Sequence, residues 1–429
     1  MADNIFIGGA TNAVMVKTAT PGGTIEAGDK FIIVLDDTNG NSETLSVDAT
    51  GTTVESVCDD ILTAVTALAA TSLFKTLVTV SDTTTHVTFT AATAGVPFEL
   101  TLSTTESNDD PADAQTFTEA TTTARSGAYD YGTPANWSTG AIPVADDVVY
   151  ISPTAGDILY GLDQSGVELD GFYRPLAHQG DIGDGTNYLY IDVENGKPIE
   201  IDYHYGPTIS APTRRTMIHV KDAPITTVHN VPTSVTGETG KPPTRFLFGS
   251  ASAVLHVLGG TGQVGVAVNV AAETSTIGTV HVASSSASVW IGAGVTITTL
   301  SLVAGTVVCQ AAPTTIVNDG ATLTLNTSGT VTNFTNNNGT VTTAGTVAFT
   351  NFTVKGGTVY SNASGTITTG ALEGGTLDFT KSRTARTVTA LQTTLHGVYG
   401  PAVLMVDDSV VTLTAKWEPV GRTRIATAA

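Results

Sequence analysis

Residues 250–380 contain almost no charge and repeat a short phrase made of Gly, Thr and an apolar residue. The Asp, Glu and Lys side chains in this stretch are Glu273, Asp319, Lys355, Glu373 and Asp378, and it has no Arg. The phrase begins at eight glycines: Gly278, Gly305, Gly329, Gly339, Gly345, Gly357, Gly365 and Gly375. Self-similarity at a short period indicates stacked structural units rather than a globular enzyme domain.

The spacing of the glycines gives the size of the repeating unit. Gly320, Gly339, Gly357 and Gly375 are separated by 19, 18 and 18 residues, and a second set of glycines falls between them. Each phrase continues with alternating side chains, as in Thr340-Val341-Thr342, which is typical of a strand with one buried face. We therefore predict a mainly β fold, a β-helix or β-solenoid with about 18 to 20 residues and two turns per coil. These four glycines are its predicted structural turn residues.

Composition restricts the possible partners and locations. The net charge of −21 would repel phosphates, so no nucleic acid partner is predicted. Residues 1–125 carry 17 acidic and 4 basic side chains, whereas residues 381–429 carry 6 basic and 3 acidic ones. This asymmetry is compatible with orientation on a charged partner and with ordinary solvated faces. The N-terminus lacks a basic segment and no long apolar run occurs, so neither a signal peptide nor a membrane span is predicted. The two cysteines, Cys58 and Cys309, offer no disulfide framework.

Changes in pattern divide the chain into six predicted segments. Residues 24–104 combine strand patterns near 31–35, 44–47, 77–80, 86–90 and 98–102 with a helix whose apolar residues run from Val54 to Leu68. Thr52 and Glu55 have the form of its capping box. The segments are an N-terminal arm (1–23), a small α+β module (24–104), a linker (105–130), irregular early coils with loops (131–249), the regular solenoid (250–395) and a C-terminal cap (396–429).

The N-terminal arm has the apolar pattern of a strand. We predict that it adds to the sheet of a neighbouring chain by edge pairing. The residues of this edge-pairing arm are Ile5, Phe6, Ile7, Val14 and Val16.

Motifs for catalysis are nearly absent. The segment 260–265 matches the dinucleotide-binding glycine pattern, but alternating valines follow it where a helix is required, so we reject a nucleotide site. Glu373 and Asp378 lie at opposite strand parity, which argues against a shared carboxylate pair and for structural turn residues. His219 and His229 lack the spacing of a zinc site. No catalytic, cofactor-binding or metal-binding residue is predicted.

The irregular early coils are richer in charge and aromatic rings. Acidic residues and histidines accompany several tyrosines, and they would suit either a sugar-binding groove or a seal over the first coils. Around Gly183 and Gly185, oxygen-bearing side chains suit either a calcium loop or a polar turn without metal. The residues concerned are His178, Asp181, Asp184, Asn187, Asp192, Glu194, Glu200, Asp202 and His204.

Three features together resemble bacteriophage virion proteins of the β-helical type. They are the small module, with Gly28-Asp29-Lys30-Phe31 before one strand and Ala94-Gly95-Val96-Pro97-Phe98 before another, the segment from Asn136 to Ile151, and the Thr/Gly solenoid. The resemblance implies a virion location, a homotrimer, and a major capsid protein or other virion proteins as partners. It predicts a non-enzymatic cement or decoration protein that packs laterally on the phage head. The alternatives are a receptor-binding tailspike that binds or cleaves polysaccharide, and a surface adhesin.

Overall fold

The computed structural model describes residues 3–107, 114–203, 214–230, 240–260, 262–270, 272–380, 385–393, 402–406, 411–413 and 424–427. Within them the fold is mainly β, with a long solenoid of parallel strands and a small α+β module near the N-terminus. The fold class predicted from the glycine repeat is confirmed. No helix in these ranges is long and apolar enough to cross a membrane.

The described residues form these elements in chain order: β1 (Asp3–Phe6), β2 (Val16–Gly23), β3 (Lys30–Asp36), β4 (Ser42–Asp48), α1 (Val54–Ala67), α2 (Leu73–Thr76), β5 (Val78–Asp82), β6 (Val87–Ala91), β7 (Glu99–Thr105), β8 (Gln115–Thr123), a 3-10 helix (Pro134–Asn136), β9 (Val148–Ile151), β10 (Asp163–Leu169), β11 (Gly171–Pro175), β12 (Leu189–Val193), β13 (Pro198–Tyr203), β14 (Thr216–Val220), β15 (Ile225–Val228), β16 (Thr244–Val257), β17 (Gln263–Val266), β18 (Ser275–Val282), β19 (Ser288–Ile291), β20 (Val295–Leu302), β21 (Thr306–Cys309), β22 (Thr315–Asn318), β23 (Thr322–Thr327), β24 (Thr330–Asn336), β25 (Thr340–Gly345), β26 (Ala348–Val354), β27 (Thr358–Ser361), β28 (Ile367–Leu372), β29 (Gly375–Asp378), β30 (Arg386–Thr393), β31 (Ala402–Val406), β32 (Val411–Leu413) and β33 (Arg424–Thr427).

The N-terminal module packs two antiparallel sheets and α1 around its own core. One sheet has the order β5-β6-β2-β8 and the other β4-β3-β7. The buried face of α1, which includes Val57 and Ile61, joins the same core as Phe31 and Phe89. The helix lies where its apolar spacing predicts, but its cap differs: Thr53 accepts a hydrogen bond from the Ser56 amide. The predicted capping box is thus displaced by one residue.

The module is larger than its sequence pattern indicates. Strand β2, within the predicted arm, pairs with both β6 and β8. Strand β8 lies within the predicted linker. Most of its side chains are exposed, so it lacks the alternation of buried and exposed positions that marks a strand. Pairing with β2 therefore stabilises a strand that hydrophobic periodicity alone does not reveal.

The solenoid consists of two parallel sheets that face each other across one core. Sheet 1 contains β1, β9, β11, β13, β15, the second half of β16, and the even-numbered strands from β18 to β32. Sheet 2 contains β10, β12, β14, the first half of β16, and the odd-numbered strands from β17 to β33. Each coil contributes one strand to each sheet, which is the predicted two-turn unit.

Registers in the regular region give the length of a coil. Thr322 pairs with Thr340, Thr340 with Thr358 and Thr358 with Thr376, which is an advance of 18 residues per coil. Phe334 stacks on Phe352 of the next coil with ring centroids 4.8 Å apart. A single hydrophobic cluster runs from Phe6 to Val411, so the solenoid is one continuous core.

The predicted C-terminal cap at 396–429 lies largely outside the described residues. Its described strands continue the solenoid: β31 pairs with β29, β32 with β30, and β33 with β31. In these ranges the chain adds further strands to both sheets rather than a distinct closing element.

Candidate functional site

The predicted arm pairs within its own chain. Strand β1 lies parallel to β9, with Phe6 opposite Ile151, and the ring of Phe6 is buried 5.3 Å from that of Trp137. Strand β1 is thus the first strand of sheet 1, and β9 is the one strand paired with it among the described residues, so edge pairing with a neighbouring chain stays a prediction. Of the other arm residues, Ile5, Ile7 and Val14 are exposed, and Val16 opens β2 of the module.

Asn136 and Trp137 organise the start of the solenoid. The Asn136 amide donates to the carbonyl oxygens of Gly127 and Asp130, at 2.6 and 2.7 Å, and its oxygen accepts the Ala10 amide at 2.8 Å. The indole Nε1 of Trp137 donates to the carbonyl of Tyr131 at 2.8 Å. Both side chains are buried, so this segment closes the N-terminal end of the core.

The predicted turn glycines occupy corners where neighbouring coils approach closely. At Gly357 φ is +66° and an added Cβ would lie 2.2 Å from the carbonyl oxygen of Gly339. Gly339 and Gly375 also have positive φ, whereas Gly320 does not, although its Cβ would lie 2.8 Å from the Val303 carbonyl oxygen. Only a residue without a side chain fits at Gly357.

The acidic residues of the early coils are engaged by bases or by backbone amides. Asp181 pairs with Arg215 at 3.1 Å and Asp192 with Lys221 at 2.6 Å. Asp184 accepts the amides of Thr186 and Asn187. The remaining contacts are Glu194 with Lys197, Glu200 with His229, and Asp202 with Arg214. Within the described residues no three His, Cys, Asp or Glu side chains are grouped to hold a metal ion. His204 lies outside the described residues.

A buried charged cluster lies between the first coils. Asp202 contacts the guanidinium groups of Arg214 and Arg174, and all three side chains are fully buried. Arg174 also donates to the Gly180 carbonyl at 2.6 Å, and Arg214 to the Leu176 carbonyl at 2.9 Å. Burial, together with the charge of Arg214, lowers the pKa of Arg174 to about 9. This network seals the interior and presents no open carboxylate.

His178 lies beside this cluster, and its ring is fully buried. Its Nδ1 lies 3.1 Å from the Ser152 carbonyl, and its buried Nε2 has no partner among the described residues. Burial, followed by the charges of Arg174 and Arg214, lowers the pKa of His178 to about 3.

Because the unfolded His178 binds a proton below its ordinary pKa near 6.5, the native state loses stability as pH falls from there toward about 3. We expect the free energy of unfolding of wild type to fall more steeply over this range than that of H178N, by up to roughly 1.4 kcal/mol per pH unit. Urea titrations of both proteins at matched pH values measure the difference. Parallel pH profiles would show that His178 is accessible to protons in the native state.

The outer face of sheet 1 changes character along the solenoid. In the early coils it carries stacked Tyr150 and Tyr173, then Glu200, and then His256 and His281, whose rings lie 5.5 Å apart. From β20 to β28 it carries only uncharged side chains in two aligned rows. These rows are Thr299, Thr315, Asn333, Asn351 and Thr369, and Ser301, Val317, Thr335, Thr353 and Ala371.

Sheet 2 carries a cleft on its outer face. The cleft measures about 700 Å³, and it is lined by Trp290, Glu273, Asn269 and Gln310, with Val308 beside Trp290. A sequence search for motifs overlooks it, because its residues come from separate coils. Trp290 offers a signal, since it is the one Trp in the Thr/Gly tract 250–380.

The residues of the motifs rejected for catalysis lie in strands and turns of the solenoid. Residues 263–266, in the glycine-rich segment, form β17, so no helix follows these glycines. Asp378 is buried and accepts hydrogen bonds from the amide and hydroxyl of Thr380, as a turn residue does. Glu373 lies one coil beyond Lys355 at a corner, where its amide donates to the Val354 carbonyl.

Comparison with known proteins gives no relative: no protein-family model, no curated protein and no solved structure matches the chain.

Proposed function

We propose that this chain is a non-enzymatic structural protein of a bacteriophage particle, a cement or decoration protein that packs laterally on the head as a homotrimer. The observation that carries the proposal is the uncharged outer face of sheet 1 from β20 to β28, on a rod with one continuous core. The virion assignment itself rests on the sequence resemblance described above.

Lateral packing suits this face for a physical reason. Burying charged groups in an interface requires matched partners, whereas hydroxyl and amide groups need only hydrogen bonds. Rows of Thr and Asn repeat along the rod, and Asn351 already donates to Asn333 of the neighbouring coil at 2.9 Å. Another copy can therefore meet the same groups at each coil.

The module covers part of the early coils. The module lies against the sheet 2 side, where Asn39 donates to the carbonyl oxygen of Leu159 at 2.9 Å and approaches Asp184 at 3.2 Å. Asn39 also borders Tyr190 and His219 of sheet 2. The early coils of sheet 2 are therefore partly covered, and the proposed packing face lies on the other sheet.

Like charges placed on this face should prevent self-association. We expect the wild-type chain to be a trimer and T335K/T353K, which puts two lysines on adjacent coils of sheet 1, to be a folded monomer, because the same charges would meet in each copy. The matched control T324K/T342K puts two lysines on adjacent coils of sheet 2 and should stay trimeric. Light scattering after size-exclusion chromatography gives the masses. A monomeric wild type, or a trimeric T335K/T353K, contradicts the packing proposal.

The virion assignment has its own test. A cryo-EM reconstruction of the particle that contains this protein should show it on the head at a copy number set by capsid symmetry. Particles lacking it should release DNA at a lower temperature. Location at the tail in a few copies, or absence from the particle, would contradict the cement role.

A further inference from the structure

The cleft on sheet 2 suggests a second role that does not depend on the proposed packing face. We propose that it binds a neutral oligosaccharide chain lying along the solenoid axis. The argument rests on its aromatic surfaces, its fixed hydrogen-bonding groups, the carboxylates in its lining and the pairing of the strands beneath it.

Two aromatic surfaces line a continuous depression. Tyr190 and His219 stack with ring centroids 4.0 Å apart and line a smaller cavity of about 330 Å³. That cavity and the 700 Å³ cleft around Trp290 share Val270 and Glu273 as lining residues. Strand pairing places His219 and Trp290 three strand spacings apart, which is about 14 Å along the axis. The depression is therefore long enough for several sugar rings.

The polar groups between these aromatic surfaces are held in place. Glu273 accepts hydrogen bonds from the Tyr188 hydroxyl at 3.0 Å and from the backbone amide of Asn269 at 2.8 Å. The side-chain oxygen of Asn269 accepts from the buried Arg245 at 2.7 Å. A carboxylate has about four acceptor sites, so Glu273 keeps two for a ligand. Burial, and then the charge of Glu273, raises the pKa of Tyr188, which therefore stays a donor to Glu273.

This combination matches the chemistry of a sugar. A pyranose ring has an apolar face of C–H groups that can lie on an aromatic ring, and hydroxyls around its edge that donate to carboxylates and amides. Trp290 supplies the ring, Glu273 the acceptor, and the exposed amide of Gln310 both a donor and an acceptor.

Other ligand classes fit less well. No Lys or Arg is among the described residues that line the two cavities, and the cations behind the lining, Lys241 and Arg245, both donate to the side-chain oxygen of Asn269. An anionic chain would therefore meet Glu273 and Asp163 at the surface of the depression. An extended peptide binds by adding to an open sheet edge. Here β19, which carries Trp290, is paired on both sides, with β17 and β21. A neutral glycan needs neither cations nor an open edge.

Binding of defined hexasaccharides tests the proposal. Wild type is titrated calorimetrically with maltohexaose, cellohexaose and mannohexaose, and with a sulfated chondroitin hexasaccharide as the anionic comparison. We expect at least one neutral hexasaccharide to bind, with W290A and E273Q each weakening its affinity by about tenfold or more. W290F should retain part of the affinity, which separates loss of the ring from loss of the fold.

Y360A is the matched control, because Tyr360 lies on the same outer row of sheet 2, outside the cleft. Its affinity should equal that of wild type. The proposal is overturned if no neutral hexasaccharide binds at millimolar concentration, if only the sulfated one binds, or if W290A and Y360A behave alike. None of these results bears on trimer formation, which is measured separately.

Discussion

Deletion of residues 340–357 should leave a folded protein that is one coil shorter. These 18 residues span one complete coil, and their removal places Thr358 where Thr340 was. Sheet 2 then pairs β23 with β27, and sheet 1 pairs β24 with β28. In a solenoid each coil contacts chiefly its neighbours, so the coils away from the junction keep their packing. At the junction Phe334 lies opposite Gly370 in place of Phe352.

The deletion also preserves the contacts of the buried asparagines. Buried Asn318 donates to Asn336 at 2.7 Å, and Asn336 donates to the Gly356 carbonyl at 2.6 Å. After the deletion, Gly374 takes the place of Gly356, because the amides of both glycines hold equivalent positions one coil apart. These buried asparagine amides keep their partners, whereas the Ala363 amide loses the Thr343 hydroxyl that accepts it at 3.4 Å. We expect cooperative unfolding and a rod shorter by about 4.8 Å.

Removal of 17 residues, 341–357, is the matched control. Side chains alternate between the two faces, so a shift of one residue puts Thr358 in the buried position of Val341 and turns Val359 outward. In every strand after the junction, buried and exposed positions are exchanged in the same way. Circular dichroism and limited proteolysis should show a folded, resistant chain for the 18-residue deletion and cleavage beyond residue 358 for the 17-residue one. Equal protease resistance of the two proteins would contradict the deduced register.

The regular coils could be predicted from sequence because each coil contains the residues that determine its own turn and strand. Gly339-Thr340-Val341 and Gly357-Thr358-Val359 each place a corner residue, an outward hydroxyl and an inward apolar group, and the structure repeats this order at the same 18-residue advance. The local pattern and the long-range pairing agree. Such agreement lets a short window predict the fold.

Other features could not be predicted because they depend on distant partners. Strand β1 is stabilised by β9, about 145 residues later, and β8 by β2. The cleft forms when the loop after β17 lies beside Trp290, and two residues of that loop, Ala267 and Ala272, have φ of +50° and +66°, which Ala seldom adopts. Nothing in the local sequence marks those positions.

The buried charged cluster is a third feature that the sequence could not predict. Its removal should have a large effect on the free energy of unfolding. Arg174, Asp202 and Arg214 come from separate segments, and only the stacking of the first coils joins them. Among the described residues, Asp202 is the one carboxylate in contact with both guanidinium groups, and its φ of +57° is tolerated by Asp and Asn better than by most residues. Substitution D202N therefore removes the charge while keeping shape and backbone.

We expect D202N to lower the free energy of unfolding by about 3 kcal/mol or more, because two guanidinium groups would remain buried without a counter-charge. The control E194Q removes a charge from a surface pair, Glu194 with Lys197 at 3.6 Å, and should cost less than about 1 kcal/mol. The double variant R174M/D202N removes one of the two cations and should recover part of the loss. Urea denaturation of the four proteins gives the comparison. If D202N and E194Q unfold at the same urea concentration, solvent reaches the cluster and the ion network does not hold the first coils together.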